Sequence, residues 1–230
     1  FEDVGEDDPT WGGAPINFPR IQGADVCGEI VAVGEDVDPS RIGERVITDN
    51  WLRDANDPDD INKTGYFGSE RDGGFAQYTT TPSRNALAVQ SDLSDAELAT
   101  FSCSYSTAEG MLTRAQVRAN DTVLVPGASG GVGGALVQLA KRRGARVIAM
   151  ASESKHEDVA RLGPDEILPR APQDLRAALG NDKITVVADV VGGPYWLTLI
   201  DVLERGGRYT CSGAIAGPIV ELDLRTFYLR

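Results

Sequence analysis

VLVPGASGGVGGALVQLAKRRGARVIAMASESK, residues 123–155, decides the fold of this 230-residue chain. It opens on an apolar β-branched run, passes through Gly127, Gly130, Gly131 and Gly133, and continues at helical spacing from about Gly131 to Arg143. It closes on a second apolar run, RVIAMA. Glycines without Cβ atoms let the chain turn sharply and bring backbone N–H groups up to a ligand, while the N-terminus of the helix adds a partial positive charge. A diphosphate fits such a turn. The dipole alone contributes only about 0.3–2 kcal/mol, so several backbone hydrogen bonds must share the work. The bare alternative is that the glycines serve only close strand-to-helix packing. The order strand, turn, helix, strand within about 30 residues is the context a dinucleotide fingerprint requires. No Gly-Lys-Ser/Thr closes the turn, which excludes a P-loop.

Outward from this unit toward the C-terminus, strand and helix patterns alternate. A helix near Glu157 to Leu162, the strand DEILP, a helix near Asp174 to Leu179, the strand ITVVADVV, a helix over PYWLTLIDVLERGG and the strand RYTCSGA follow in order. Continuous β-branched runs between amphipathic helices predict an α/β fold, a parallel sheet covered on both faces. Toward the N-terminus, residues 23–89 read instead as short β-rich runs, GADVCGEIVAVGEDVDPSRIGERVITDNW and GGFAQYTTTPSRNALAV, part of an irregular barrel. The polar segment from Asn50 to Gly74 between them reads as a surface excursion. In SDLSDAELATF, Ser94 and Glu97 form a capping box, and CSYSTAEGMLTRAQV continues at helical spacing. These shifts divide the chain into a β-rich domain over 1–95 and a dinucleotide-binding domain over 96–230 led by a linker helix.

The chain carries a formal net charge of −13 and four lysines, which argues against a nucleic-acid partner. Cys27, Cys103 and Cys211 are odd in number, far apart and free of any C-x-x-C pair, which argues against a disulfide framework and a closed zinc site and fits a reducing cytoplasm. No run approaches the roughly 20 apolar residues of a membrane span. The acidic start FEDVGEDD lacks the pattern of a signal peptide, and the missing initiator Met points to an incomplete sequence.

Charge at the end of the second strand chooses between dinucleotides. NAD sites usually place Asp or Glu there, where it would repel a 2′-phosphate. Here RVIAMA ends in Ala151 and Ser152, with Lys155 close behind, which favours NADP(H) over NAD(H), with Ser152, Lys155 and Arg170 as the phosphate clamp. Glu153 is the counter-signal, either folding back onto the ribose or lying solvated at the helix start. Pyrophosphate contacts fall to Ala128, Ser129, Gly130, Gly131 and Val132.

The ordered set GADVCGEIVAVGE, RIGERVITDNW, GGFAQY, CSYSTAEGML, GASGGVG and DVVGG resembles the medium-chain dehydrogenase/reductase superfamily, particularly its quinone-oxidoreductase-like and zinc-binding-dehydrogenase-like branches. The resemblance implies a GroES-like catalytic domain followed by a Rossmann-type, doubly wound parallel sheet. It also implies that the opening strands of the first domain and the last strand of the second are absent from this sequence. By resemblance, Thr107 would touch the nicotinamide end, while Val190, Val191, Gly192, Ser212, Gly213 and Ala214 would border its ribose; otherwise these residues simply pack strand ends. A homodimer is implied on the same ground.

The zinc branch of that family supplies a ligand from Gly-His-Glu, where this chain reads Gly23-Ala24-Asp25. Alanine cannot ligate. Cys103 matches a further ligand position, but one thiolate and one carboxylate fall short of the three protein ligands of a catalytic zinc. Zinc is therefore not expected. Cys103 is either an inert thiol beside the cofactor or a residue that assists catalysis, and His156, the only histidine, lies after the second strand, away from the expected chemistry. The expected activity is hydride transfer to a small carbonyl, enone or quinone. The alternatives are a zinc-dependent alcohol dehydrogenase with ligands in missing sequence, and a dinucleotide-binding protein without turnover.

Overall fold

The computed structural model describes residues 16–60 and 63–229; the acidic start at 1–8 lies outside them. The chain divides into two compact units, Phe1–Cys103 and Ser104–Arg230.

In the first unit, β1 (Cys27–Glu29), β2 (Arg45–Thr48) and β5 (Ala86–Ala88) form an antiparallel sheet in the order β1-β2-β5. A second pair joins β3 (Trp51–Leu52) to β4 (Gly65–Tyr66). The run GGFAQYTTT, expected to be β-rich, forms no strand, and Phe75 and Tyr78 are exposed. Its leading amides are engaged elsewhere: Gly74 N–H donates to the Gly23 carbonyl at 2.8 Å and Phe75 N–H to the Gln22 carbonyl at 2.9 Å. Helix α1 (Asp95–Ala99) starts with the expected capping box, Ser94 N–H to Glu97 at 2.8 Å and Glu97 N–H to Ser94 Oγ at 3.3 Å.

The second unit is built on one parallel sheet. Its strands are β6 (Thr122–Pro126), β7 (Arg146–Ala151), β8 (Glu166–Pro169), β9 (Ile184–Asp189) and β10 (Leu203–Cys211), in the spatial order β10-β9-β6-β7-β8. From β6 the chain runs outward through β7 to β8, then returns to the other side of β6 for β9 and β10. That reversal at β6 is the topological switch point of a doubly wound sheet. Alternation along each strand covers both faces. Val123, Val125, Val147, Ala149, Val186 and Ala188 enter a core shared with α2 (Ser106–Arg114) and α3 (Gly131–Arg142). Leu124, Ile148, Met150 and Val187 enter a second core shared with α5 (Leu175–Leu179) and α6 (Trp196–Asp201). The short α4 (His156–Ala160) lies between β7 and β8, and α7 (Leu224–Leu229) ends the described chain.

Two boundaries differ from expectation. ITVVADVV stops being strand at Asp189, because the Asp189 carboxylate captures the next amides. PYWLTLIDVLERGG is not one helix: α6 ends at Asp201, and Leu203 already pairs with Ile184 in β10, which carries an irregularity before Arg208. Pairing with a buried central strand overrides the helical spacing of that stretch. No helix among the described residues is long and apolar enough to cross a membrane.

At the amino ends of the strands, buried Asp121 ties the sheet together. It accepts from Arg118 N–H and Thr185 Oγ, both at 2.8 Å, and pairs with the Arg208 guanidinium, which also donates to the Ala115 and Gln116 carbonyls at 2.8 and 3.0 Å. Burial pushes the Asp121 carboxyl up, but the Arg118 amide, Thr185 and Arg208 outweigh it and hold it below the usual carboxylate range. The folded chain therefore favours the charged form more than the unfolded chain does. Its stabilisation is complete above about pH 4 and is lost as pH falls through the lowered value. Asp121→Ala is expected to cost about 2–3 kcal/mol in urea unfolding at pH 7 and much less near pH 2. An equal cost at both pH values would count against this account.

Candidate functional site

The glycine turn sits at the switch point. After β6, Gly127 adopts φ +68, and a Cβ there would come within 2.8 Å of Val191 Cγ2. Ala128 is buried, its N–H donating to the Met150 carbonyl at 3.1 Å, while Ser129, Gly130 and Gly131 are exposed. Gly130 caps α3 with φ −86 and ψ 170, and no side chain caps that helix. The first-turn amides are thus left to a partner from outside the helix.

The glycines differ in why they are needed. A Cβ on Gly133 would fall 2.1 Å from the Gly127 carbonyl oxygen, so helix and turn approach too closely for any side chain. One on Gly131 would lie 2.5 Å from Ser104 Oγ. One on Gly130 would meet only the Gly127 oxygen, at an ordinary 3.5 Å. The protein's own packing does not demand glycine at 130. The space a Cβ would fill there lies in front of the exposed helix end, which suits a bulky anion against bare amides.

Because the sheet is parallel, the other expected cofactor residues also lie at its carboxyl edge. Ser152 follows β7 and caps a single 3-10 turn, Glu153–Lys155; its Oγ lies 3.3 Å from Ser154 Oγ. Lys155 is exposed and pairs loosely with Asp158, Nζ to Oδ2 3.5 Å. Glu153 is exposed on the same turn. His156 Nε2 lies 3.1 Å from the Ala151 carbonyl, a local contact just after β7. Arg170 is exposed beyond β8, one strand further out than the Ser152 turn.

Val190, Val191 and Gly192 follow β9, and Ser212, Gly213 and Ala214 follow β10. The two loops are hydrogen-bonded together: Ser212 N–H donates to the Asp189 carbonyl at 3.0 Å, Ala216 N–H to the Val191 carbonyl at 2.9 Å and Gly193 N–H to the Gly217 carbonyl at 3.0 Å. Beneath them lies a residue that sequence reasoning missed. Asp189, 0% exposed, accepts from Val191 N–H at 2.7 Å, Gly192 N–H at 3.2 Å and Tyr209 O–H at 2.7 Å. Burial, and then the Asp189 carboxylate, push the Tyr209 phenol far above its usual value, so it remains a donor. The signal was legible only as one acid closing an apolar β-branched run.

Thr107 lies in the first turn of α2, part-buried. That helix packs on α3, and just before it the Tyr105 hydroxyl accepts from Gln138 Nε2 at 2.8 Å. Cys103 is exposed on a π-helical turn, Phe101–Tyr105, and its N–H donates to Asp25 Oδ1 at 2.8 Å. One Asp25 oxygen is therefore engaged by backbone. Among the described residues, no three His, Cys, Asp or Glu side chains are grouped to hold a metal, and the zinc-site residues that are present do not fit a catalytic zinc.

Residues 4–91 match the alcohol dehydrogenase GroES-like domain and residues 131–230 the zinc-binding dehydrogenase domain. The chain belongs to the medium-chain dehydrogenase/reductase superfamily. Within this superfamily it is 30% identical over 221 residues to acryloyl-coenzyme A reductase of Metallosphaera sedula, covering 93% of this chain and 65% of that protein. A crystal structure from Sinorhizobium meliloti 1021, provisionally named an alcohol dehydrogenase, is 50% identical with a TM-score of 0.87, covering 97% of this chain and 61% of that one. A structure from E. coli CFT073, described as a short chain alcohol dehydrogenase complexed with NADH, is 25% identical with a TM-score of 0.82, covering 92% of this chain and 66% of that one. The chain thus spans 61–66% of the length of these superfamily relatives.

Two substitutions separate packing from ligand binding. Gly133→Ala is expected to destabilise the fold by about 3 kcal/mol through overlap with the turn, whereas Gly130→Ala leaves the melting curve unchanged and weakens dinucleotide binding in calorimetry. Asp189→Ala, which strands two amides and a hydroxyl, is expected to cost about 2–3 kcal/mol in urea unfolding.

Proposed function

We propose that this chain is the catalytic and cofactor-binding part of an NADP(H)-dependent oxidoreductase acting on a small carbonyl, enone or quinone. The observation that carries the reading is the uncapped α3 end at the switch point, with Gly130 free of any packing requirement. Of the expected pyrophosphate contacts, the Ala128 and Gly130 amides are spent on the Met150 and Gly127 carbonyls, both at 3.1 Å, so the Ser129, Gly131 and Val132 amides would hold the pyrophosphate. The loops Val190–Gly192 and Ser212–Ala214, fixed from below by Asp189, would flank the ribose and nicotinamide, with Thr107 near the reactive end. The bound nicotinamide would supply or accept the hydride.

In the reducing direction the electrophilic carbon of the substrate would take up the hydride, and solvent or a donor would protonate the position that accumulates negative charge. Conjugated acceptors suit this chain because their charge can spread without a metal to polarise a carbonyl. Likeness to an acryloyl-coenzyme A reductase, whose named substrate is conjugated, supports that class.

The 2′-phosphate is assigned to Ser152 and Lys155, with Arg170 further out. No carboxylate ends β7, and among the described residues Lys155 pairs only with Asp158, at 3.5 Å; against this stands Glu153, exposed on the same turn, which favours NADH. Lys155→Ala is expected to weaken NADPH binding about 5-fold, as for one exposed ion pair, and leave NADH unchanged. Preference of the unaltered protein for NADH would refute the assignment. The alternative is a zinc-dependent enzyme whose further ligands lie outside this sequence, with Cys103 as one ligand; the Cys103 amide, not its thiol, is what meets Asp25. About one tightly held zinc per full-length chain, by elemental analysis, would establish it over the zinc-free mechanism.

A further inference from the structure

The excursion after β2, which the cofactor reading leaves unused, encloses a cleft of about 850 Å³ within the first unit. Arg20, Arg53, Lys63, Arg71 and Arg84 line it, against Asp54, Glu70 and Asp72. Such an excess of cations is unexpected in a chain of net charge −13, where carboxylates are abundant.

The cations are not equally compensated. Arg20 pairs with Asp72 at 3.0 Å, and Lys63 with Asp57 and Asp60 at 2.8 and 3.5 Å. Among the described residues, Arg53, Arg71 and Arg84 form no ion pair. Arg53 donates to the Pro58 carbonyl at 3.2 Å and lies over the Trp51 ring, 5.5 Å from its centroid. Arg84 donates to the Arg53 carbonyl. Carbonyls and an aromatic face orient these two guanidinium groups without neutralising them. Asp54 lies near enough to feel Arg84, but one of its oxygens already accepts from the Asn56 and Asp57 amides at 2.8 and 3.0 Å. Glu70 likewise accepts from Tyr66 N–H at 2.7 Å and Ser69 Oγ at 2.5 Å.

Two atoms of the lining are also unsatisfied. Arg20 Nε and Thr81 Oγ are buried and have no hydrogen-bond partner among the described residues. Buried donors of this kind need an acceptor. Two oriented guanidinium forks, a third, Arg71, without an ion pair among the described residues, and two unspent buried polar atoms suit an oxyanion.

We propose that this cleft binds the oxyanion of a small molecule, a phosphate ester or a carboxylate, through Arg53, Arg71 and Arg84. The assignment stands apart from the dinucleotide reading, whose residues lie in the other unit.

The test is isothermal titration of the chain with inorganic phosphate and, separately, acetate, at constant ionic strength set with chloride. Saturable binding of either anion, weakened about tenfold or more in the Arg71→Gln/Arg84→Gln double variant while NADPH binding is retained, supports the proposal. Tighter phosphate identifies a phosphate ester and tighter acetate a carboxylate. Should the double variant melt early, Arg71→Gln alone decides, because Arg71 makes no ion pair that folding would miss. Absence of saturable binding of both anions, or equal affinity in the variant, overturns the proposal.

Discussion

The approach of α3 to the turn after β6, where a single Cβ at Gly133 would strike the Gly127 carbonyl at 2.1 Å, is the constraint on which the candidate site depends. A helix seated that closely brings its first turn to the edge of the central strand and leaves its amides facing outward. The same turn is pinned from the other side, since a Cβ on Gly127 would meet Val191 at 2.8 Å. Strand, helix and the loop after β9 are therefore fitted to one another at one point. A site packed this closely is formed by the chain's own contacts, which reduces the ordering cost of binding.

Two buried acids then hold the ends of the sheet in different ways. At the amino ends, Asp121 meets a guanidinium and joins β6, β9 and β10 through Thr185 and Arg208. At the carboxyl ends, Asp189 meets no cation among the described residues; two amides and the Tyr209 hydroxyl satisfy it. A carboxylate held by neutral donors shapes a loop without placing a positive charge beneath the proposed nicotinamide position. The first acid serves the sheet, and the second serves the loops above it.

Charge acts locally in the other unit as well. A net charge of −13 argues against polyanion binding over the whole surface, yet five cations line one cleft. With screening over about 8 Å in physiological salt, a ligand entering that cleft responds to its walls and not to the distant acid excess.

Read alone, the sequence determined the α/β class, the βαβ unit, the glycine turn and the capping box at Ser94, because these are local: they follow from side-chain spacing and from what glycine or serine does to its own backbone. It also separated glycines from ordinary loop residues, but it could not say that Gly133 answers to packing while Gly130 does not. That distinction depends on which atoms lie opposite each Cβ. The end of β9 is a local event, Asp189 capturing amides two and three residues on, whereas the early start of β10 and the loss of strand in GGFAQYTTT were settled by distant partners: a neighbouring strand, and carbonyls at residues 22 and 23. Asp189 with Tyr209, Asp121 with Arg208, and the arginine cleft join residues 20 to 87 positions apart. Only tertiary structure could decide them, because a charge's partner is fixed by three-dimensional proximity and not by its place along the chain.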